Sequence, residues 1–280
     1  MTVEDDCRWW QCGTGRVCEA PRRPVDAKPV LRPAGGGNFG DLWRHHTEFA
    51  LRIVQAFPHN RIVALPQSVY YKNLQLARRD ADAFAAHQNV TLLARTADSL
   101  ALLDEVFNRT SHGLSPDAAL MMGPVQPACQ PSVDVVLLLR NDKERRDVDD
   151  DAAHQGALEA LQARKASFEI WDWFDWGKFT KREGGLGLNQ TLAEFRLRAA
   201  NNLLCRGRVV VSNRLHAMLL SLLMGKPFVG FDNSYRKLSG YRSTFLDPNS
   251  HCQPRFTLSF FEPGIQDAVQ TALQLLALDL

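Results

Sequence analysis

Apolar positions in the first part of the chain alternate between two spacings. From Leu42 to Phe57 they recur every three or four residues, which is the pattern of a helix with one buried face. Shorter and almost wholly apolar runs separate such segments, as expected of strands buried in a sheet. The alternation predicts strands at 28–34, 61–68 and 90–95 and helices at 42–57, 74–87 and 98–107.

A proline-rich segment at 123–132 interrupts this alternation and is the predicted linker. The pattern then returns. Residues 133–140 are almost continuously apolar, as in a strand covered on both faces, and Gly225 is placed to end a helix. In this second part the predicted strands are 133–140, 167–174, 208–212 and 227–232, and the predicted helices are 150–165, 191–204, 214–225 and 264–280.

Strands that alternate with helices favour parallel sheets with crossover helices. We therefore predict an α/β protein with two Rossmann-like, doubly wound domains that face each other across a cleft. In this prediction residues 1–28 are an irregular N-terminal segment and residues 29–124 are the first domain. Residues 132–280 are the second domain, whose last helix can pack back on the first.

Composition adds little to this picture beyond exclusions. The 280 residues carry a net charge of +2, which gives no sign of a nucleic-acid or membrane partner. No apolar run approaches the roughly 20 residues that span a bilayer. The acidic and aromatic N-terminus lacks the features of a secretory signal. We expect a soluble protein of the cytoplasm, unless a longer protein carries an anchor ahead of this sequence.

The cysteines and histidines suggest no metal chemistry. The cysteine spacings fit no zinc module, and no histidine cluster completes a ligand set. No metal site is therefore predicted, and free thiols in a reducing compartment are expected at Cys7, Cys12, Cys18, Cys129, Cys205 and Cys252.

The sequence GGGNFGD at 35–41 matches the G-x-G-x-x-G pattern of dinucleotide-binding proteins. That pattern needs an acidic residue about 20 positions later, whereas the next strand ends in Pro66-Gln67-Ser68 without a carboxylate. A nicotinamide or flavin cofactor is therefore not expected. Two interpretations stay open: a loop whose glycines let an anion or sugar approach the backbone, or a tight strand-to-helix turn with Asp41 as the helix cap.

Positive side chains follow three predicted strands of the second domain. Arg140 ends one strand, Arg214 follows another, and Lys237 lies beyond a third, next to Arg236. Ligands bind at the carboxyl edge of open α/β sheets, and guanidinium groups suit phosphate and carboxylate, so these residues predict an anion site. His216, in the first turn of the helix after Arg214, can donate a hydrogen bond or a proton. The alternative is that these are ordinary loop and helix-start residues.

Four segments resemble, in the same order, the polysaccharide pyruvyl transferase family: GGGNFGDLW, ALPQSVYY, LLLRNDKE and SNRLHAMLLSLLMGKPFVGFDNSYRKLSGY. The similarity runs from about residue 33 to 246, and the last segment is the most specific. The resemblance implies a GT-B-like fold and a transfer of the enolpyruvyl carbons of phosphoenolpyruvate to two hydroxyls of a sugar. Phosphate is released and a cyclic ketal remains. Phosphoenolpyruvate is then a co-substrate, a sugar or glycan is the acceptor, and no cofactor is implied.

The resemblance also assigns the donor side to the second domain. Phosphoenolpyruvate carries a phosphate and a carboxylate, so several converging cations suit it. Protonation of its methylene carbon needs a general acid, and His216 is the candidate. The implied phosphoenolpyruvate contacts are Arg140, Arg214, Leu215, His216 and Lys237.

The acceptor side is assigned to the first domain. The resemblance implies that the sugar contacts Gly37, Asn38 and Asp41, and Asp41 is the candidate base for the attacking hydroxyl. A GT-B glycosyltransferase that uses a nucleotide sugar is one alternative, but it would be expected to bind the donor ribose through a carboxylate. A non-catalytic carbohydrate-binding protein is another, which the retained cations and His216 oppose.

Overall fold

The structure is a computed structural model that describes residues 30–31, 35–146, 151–173, 192–247 and 259–278. The predicted alternation of helices with parallel strands is confirmed. The strands form two sheets, and every strand pairing in both sheets is parallel. In the described part of the chain, no helix has the length and apolar character needed to cross a bilayer.

The first sheet has four strands in the order β1-β2-β3-β4. Its strands are β1 (Gly36–Gly40), β2 (Ile62–Tyr70), β3 (Val90–Ala94) and β4 (Ser111–Leu114). The connecting helices are α1 (Arg44–Ala56), α2 (Leu74–Ala85) and α3 (Ala97–Val106), and a 3-10 turn follows β4 at Ala118–Met122. The core of this layer contains the buried rings of Phe39, Phe84 and Phe107, whose centroids lie 5.6–6.2 Å apart.

The second sheet has five strands in the order β6-β5-β7-β8-β9. Its strands are β5 (Val133–Leu138), β6 (Phe168–Trp171), β7 (Gly207–Ser212), β8 (Phe228–Phe231) and β9 (Ser259–Glu262). The helices that follow its strands are α4 (Asp151–Ala163), α5 (Leu192–Leu204), α6 (Leu215–Leu223), α7 (Lys237–Tyr241) and α8 (Ile265–Ala277). A π-helical turn at Arg242–Leu246 continues α7 and belongs by its contacts to the same compact unit as the first sheet. The last helix, α8, packs on α4 and on this second sheet.

The glycine segment is a strand rather than a loop. We predicted a strand at 28–34 that runs into the glycines. The structure describes only residues 30 and 31 of that range, where Leu31 forms an isolated parallel bridge to Ile62, and β1 consists of the glycine segment itself. The reason is close packing against β2. A Cβ on Gly40 would lie 1.7 Å from the carbonyl oxygen of Tyr70, and Gly40 has a φ of +138°, which favours glycine.

The chain forms two compact units, each defined by the contacts that its residues make with one another. The described residues of the first unit run to Ala118 and resume at Gly240, and those of the second run from Ala119 to Ser239 and resume at Ser259. The predicted linker is packed within the second unit. The Asn201 carboxamide donates to the carbonyl of Gln126 and accepts the N–H of Ala128, both at 2.9 Å.

Cys129 and Cys205 form a disulfide, with Cα atoms 5.5 Å apart. The expectation of free thiols is therefore wrong for these two residues. Asn201 binds the segment that carries Cys129 beside the end of α5, where Cys205 lies, and a sequence separation of 76 residues hides this proximity. The remaining cysteines, Cys7, Cys12, Cys18 and Cys252, lie outside the described residues.

Candidate functional site

The predicted cations of the second unit meet at the carboxyl edge of its sheet. Arg140 follows β5, Arg214 follows β7, and Lys237 begins α7 after β8. All three are buried, with exposed fractions of 5%, 5% and 7%. Charged side chains are almost never buried to this extent unless they are paired. The site is therefore described by the partners of these three residues.

The strand register explains why the two arginines are neighbours. Leu138 of β5 pairs with Ser212 of β7, and each arginine comes two residues after its strand ends. The hydroxyl of Ser212 donates to the carbonyl of Leu138 and accepts the N–H of Arg214 at 3.0 Å. Asn213 accepts the N–H of Arg140 at 3.0 Å. These bonds fix the two loops to each other, so the sequence Ser-Asn-Arg positions both guanidinium groups.

Glu144 joins the first arginine to the lysine. One carboxylate oxygen, Oε2, accepts hydrogen bonds from Nη1 of Arg140, from Nζ of Lys237 at 2.9 Å and from the carboxamide of Asn233 at 3.0 Å. Asn233 also accepts the N–H of Lys237 at 2.8 Å. Glu144 is 3% exposed, so its carboxylate pairs with the two cations in a buried position.

Asp142 joins the two arginines. Its Oδ1 lies 3.2 Å from Nη1 of Arg140, and its Oδ2 accepts from Nη1 of Arg214 at 2.9 Å. Asp172, which follows β6, binds Nη2 of Arg214. Among the residues that the structure describes, three cations and three carboxylates are thus joined by these contacts. We call these six residues the edge cluster: Arg140, Asp142, Glu144, Asp172, Arg214 and Lys237.

The sequence analysis missed the carboxylates of the edge cluster. A signal for two of them was present, because Asp142 and Glu144 alternate with cations in the quoted segment LLLRNDKE. Asp172 carried a weaker signal, as a carboxylate within the last three residues of the predicted strand 167–174. Its proximity to Arg214 depends on the strand order, in which β5 lies between β6 and β7.

The edge cluster contains two guanidinium groups whose charges interact and, among the described residues, one buried donor that is not satisfied. Burial, and next to it the charge of Arg140, lower the pKa of the Arg214 guanidinium, while Asp172 and Asp142 oppose this shift. An arginine nevertheless stays charged in a protein, so the two guanidinium groups repel each other. In the described part of the chain, the Nε of Arg140 is buried and has no hydrogen-bond partner. An anion that accepts from this donor satisfies it.

Leu215 and His216 begin α6 directly after Arg214. The Leu215 side chain is 3% exposed and belongs to the core, whereas His216 is exposed. The backbone N–H groups of this first turn form the kind of helix end that attracts anions. The two neighbours therefore differ: Leu215 offers a ligand its backbone, and His216 offers a solvent-accessible imidazole.

The predicted acceptor residues all lie in the first unit. Gly37 and Asn38 are in β1, and Asp41 follows it. The expectation that Asp41 caps the next helix is wrong, because α1 begins at Arg44 with Trp43 as its N-cap. The Oδ2 of Asp41 instead accepts the backbone N–H groups of Lys72 and Asn73, both at 2.8 Å.

The first unit also has buried polar groups at its sheet that the sequence analysis did not single out. Arg95, which follows β3, donates to the Ser68 hydroxyl at 3.0 Å and forms an ion pair with Asp117. Next to Ser68, the buried Nε2 of Gln67 has no hydrogen-bond partner among the described residues. No group of three or more His, Cys, Asp or Glu side chains in this described set is placed to hold a metal ion.

Known proteins similar to this chain carry related names. Residues 34–235 match the family model of polysaccharide pyruvyl transferases. The chain is 31% identical over 245 residues to the putative pyruvyl transferase EpsO of Bacillus subtilis, which covers 80% of the chain and 72% of that protein. It is also 31% identical over 217 residues to pyruvyl transferase 1 of Schizosaccharomyces pombe. That alignment covers 76% of this chain but only 53% of the yeast protein.

A solved structure shows the same fold at low sequence identity. The crystal structure of a functionally uncharacterised protein from Klebsiella pneumoniae matches with a TM-score of 0.52 and 18% identity. The match covers 86% of this chain and 78% of that one. At this identity the likeness extends to the fold alone.

Proposed function

The chain belongs to the polysaccharide pyruvyl transferase family, and on that premise we propose that it transfers a pyruvyl group from phosphoenolpyruvate to two hydroxyls of one sugar in a polysaccharide or glycan. The product is a cyclic ketal, and inorganic phosphate leaves. One observation supports this donor above others, namely the three buried cations at one sheet edge. A donor with both a phosphate and a carboxylate matches that arrangement.

The edge cluster is the proposed donor site. Arg140 and Arg214 would bind the phosphate and carboxylate oxygens, because planar guanidinium groups pair with both. Lys237 adds a third positive charge. The first turn of α6, with the backbone of Leu215 and the ring of His216, would complete the contacts to the donor.

The reaction needs a proton at the methylene carbon of the donor. In the proposed mechanism, protonated His216 donates this proton, and the methylene becomes a methyl group while positive charge develops at the adjacent carbon. The first sugar hydroxyl attacks that carbon and loses its proton. The second hydroxyl attacks the same carbon as the C–O bond to phosphate breaks, and its proton is also released. His216 suits the first step because its imidazole is exposed and lies on the turn that follows Arg214.

Asp41 is the proposed base for the acceptor hydroxyl. Among the described residues, the hydrogen bonds that its carboxylate accepts go to Oδ2, so Oδ1 is the oxygen proposed to accept the proton. Gly37 and Asn38 are the proposed contacts of the acceptor sugar. The cleft between two GT-B-like domains, which would bring Asp41 and the donor together, stays a prediction. So does the absence of a cofactor.

Phosphate release tests this proposal. Phosphoenolpyruvate is incubated with the protein and with galactosides, glucosides and mannosides in turn, and phosphate is measured. We expect release that depends on one class of acceptor. If no acceptor supports release, and nucleotide sugars rather than phosphoenolpyruvate raise the melting temperature by binding the native state, a nucleotide-sugar glycosyltransferase is the better assignment.

A further inference from the structure

The edge cluster already contains as many carboxylates as cations. Arg140, Arg214 and Lys237 are balanced by Asp142, Glu144 and Asp172. A phosphate or carboxylate that enters the cluster therefore meets cations that already pair with carboxylates. An anion that binds the terminal nitrogens of Arg214 has to displace a carboxylate, because Nη1 and Nη2 each donate to one already and like charges at short range repel in a buried site.

The three carboxylates differ in accessibility. The side chain of Glu144 is 3% exposed, while those of Asp142 and Asp172 are 12% and 17% exposed. The two accessible carboxylates both bind Arg214, one on each terminal nitrogen. The terminal nitrogens of Arg214 are thus paired with the two more exposed carboxylates of the cluster.

Each of these two carboxylates also has a backbone partner. Oδ1 of Asp142 accepts the N–H of Glu144 at 2.9 Å, and Oδ2 of Asp172 accepts the N–H of Asn141 at 2.9 Å. A carboxylate that leaves Arg214 keeps this bond and gains water on its exposed side. Glu144 has three hydrogen-bond partners on one oxygen and little exposure, so it stays in place.

We propose that Asp142 and Asp172 are internal counter-anions that occupy the anion position on Arg214, and that the donor displaces them when it binds. This inference rests on the proposed function, since it treats the edge cluster as the donor site. Two consequences follow. The carboxylates weaken the binding of every anion at Arg214, and their return to Arg214 speeds the departure of product phosphate.

The test compares variants that neutralise one carboxylate without changing its shape. Asp142→Asn and Asp172→Asn are titrated calorimetrically with inorganic phosphate and with phosphoenolpyruvate at one ionic strength. Because removal of a nearby negative charge in a partly buried site lowers the repulsion of an anion, we expect both ligands to bind about tenfold more tightly. In turnover, Asp142→Asn should lower KM and also lower kcat, because phosphate leaves more slowly. A merely structural role predicts a raised KM.

Asp267→Asn is the matched control, since it removes the same charge from an exposed position in the first turn of α8. Its anion affinity should equal that of the parent protein. Unchanged or weaker phosphate binding in folded Asp142→Asn and Asp172→Asn overturns the inference. Tighter phosphate binding in both variants, together with no phosphate release from phosphoenolpyruvate in the parent protein, supports the counter-anions and contradicts the proposed reaction instead.

Discussion

At the scale of single residues, the groups proposed for binding and for proton transfer lie on one turn of chain but differ in burial. Arg214 is buried among carboxylates, whereas His216, two residues later, is exposed. The presence of the arginines and His216 at this edge could be predicted from the sequence, because each follows an apolar strand. The pairing of those arginines with Asp142 and Asp172 could not, because it depends on which strands are neighbours.

Replacement of His216 by Gln should separate its two possible roles. Gln keeps a hydrogen-bond donor but has no group that titrates near neutral pH. We expect His216→Gln to bind phosphoenolpyruvate within a few-fold of the parent protein and to lose about 10²–10⁴-fold in turnover. Calorimetry and phosphate release measure the two quantities. His59→Gln, at an exposed position of the first unit, is the control, and near-normal turnover in His216→Gln would show that this residue only binds.

Removal of the Arg214 guanidinium should strongly weaken donor binding. The truncation takes away a bidentate partner and leaves Asp142 and Asp172 facing the ligand, which typically costs about 2–5 kcal/mol in binding free energy. We expect Arg214→Ala to show this loss for phosphoenolpyruvate in a calorimetric titration. Arg206→Ala is the control, because Arg206 precedes the amino end of the same strand and binds Glu169 there. Equal donor affinity in Arg214→Ala and Arg206→Ala would remove Arg214 from the site.

At the scale of elements, long periodic segments were predictable, whereas the short edge strands β4 and β9 were not. The apolar stripe of α1 and the continuous run of β5 are strong signals, since both bury a full face. In contrast, β4 has the sequence Ser-His-Gly-Leu and lies at the edge of its sheet, and β9 occupies an edge of the other sheet. Their pairing comes from neighbouring strands, which local sequence does not reveal.

The role of the glycines in β1 is testable at this scale. Gly40 and Gly225 both have positive φ values, +138° and +65°. A Cβ on Gly40 would collide with the backbone of Tyr70, whereas nothing lies within 4 Å of a Cβ on Gly225. We expect Gly225→Ala to lower the free energy of unfolding by about 1–2 kcal/mol and Gly40→Ala to lower it by clearly more. Urea denaturation measures both, and equal losses would show that close packing on β2 is unimportant.

At the scale of the whole molecule, the family and the α/β class predicted from the sequence are confirmed. The chain forms two parallel sheets with connecting helices, and the alternation of predicted strands and helices in the sequence indicates both. The disulfide was not predictable from the sequence, because Cys129 and Cys205 come together only in the folded second unit. Persistent disulfides are typical of oxidising compartments, so the expected cytoplasmic location stays a prediction without support from the structure.

The disulfide should contribute to the stability of the folded chain. It closes a loop with a sequence separation of 76 residues, and such a bond typically stabilises by about 2–4 kcal/mol, mainly through the unfolded chain. We expect a reductant, or the paired change of Cys129 and Cys205 to Ser, to lower the free energy of unfolding by this amount. Urea denaturation would show the change as a lower midpoint. Digestion without reductant should release one peptide pair that contains both cysteines. If no such pair is found, and the reductant has no effect on the midpoint, the two thiols are free.

The central claim, that this chain moves a pyruvyl group from phosphoenolpyruvate to a sugar, is tested most directly by following the transferred carbon. Phosphoenolpyruvate labelled with ¹³C at its methylene carbon is incubated with the protein and with the acceptor that supports phosphate release. The glycan product is then examined by NMR. The predicted result is a labelled methyl group on a ketal carbon of the sugar, in an amount equal to the phosphate released. Phosphate release without label on the glycan, or a glycan extended by a sugar from a nucleotide donor and free of label, would contradict it.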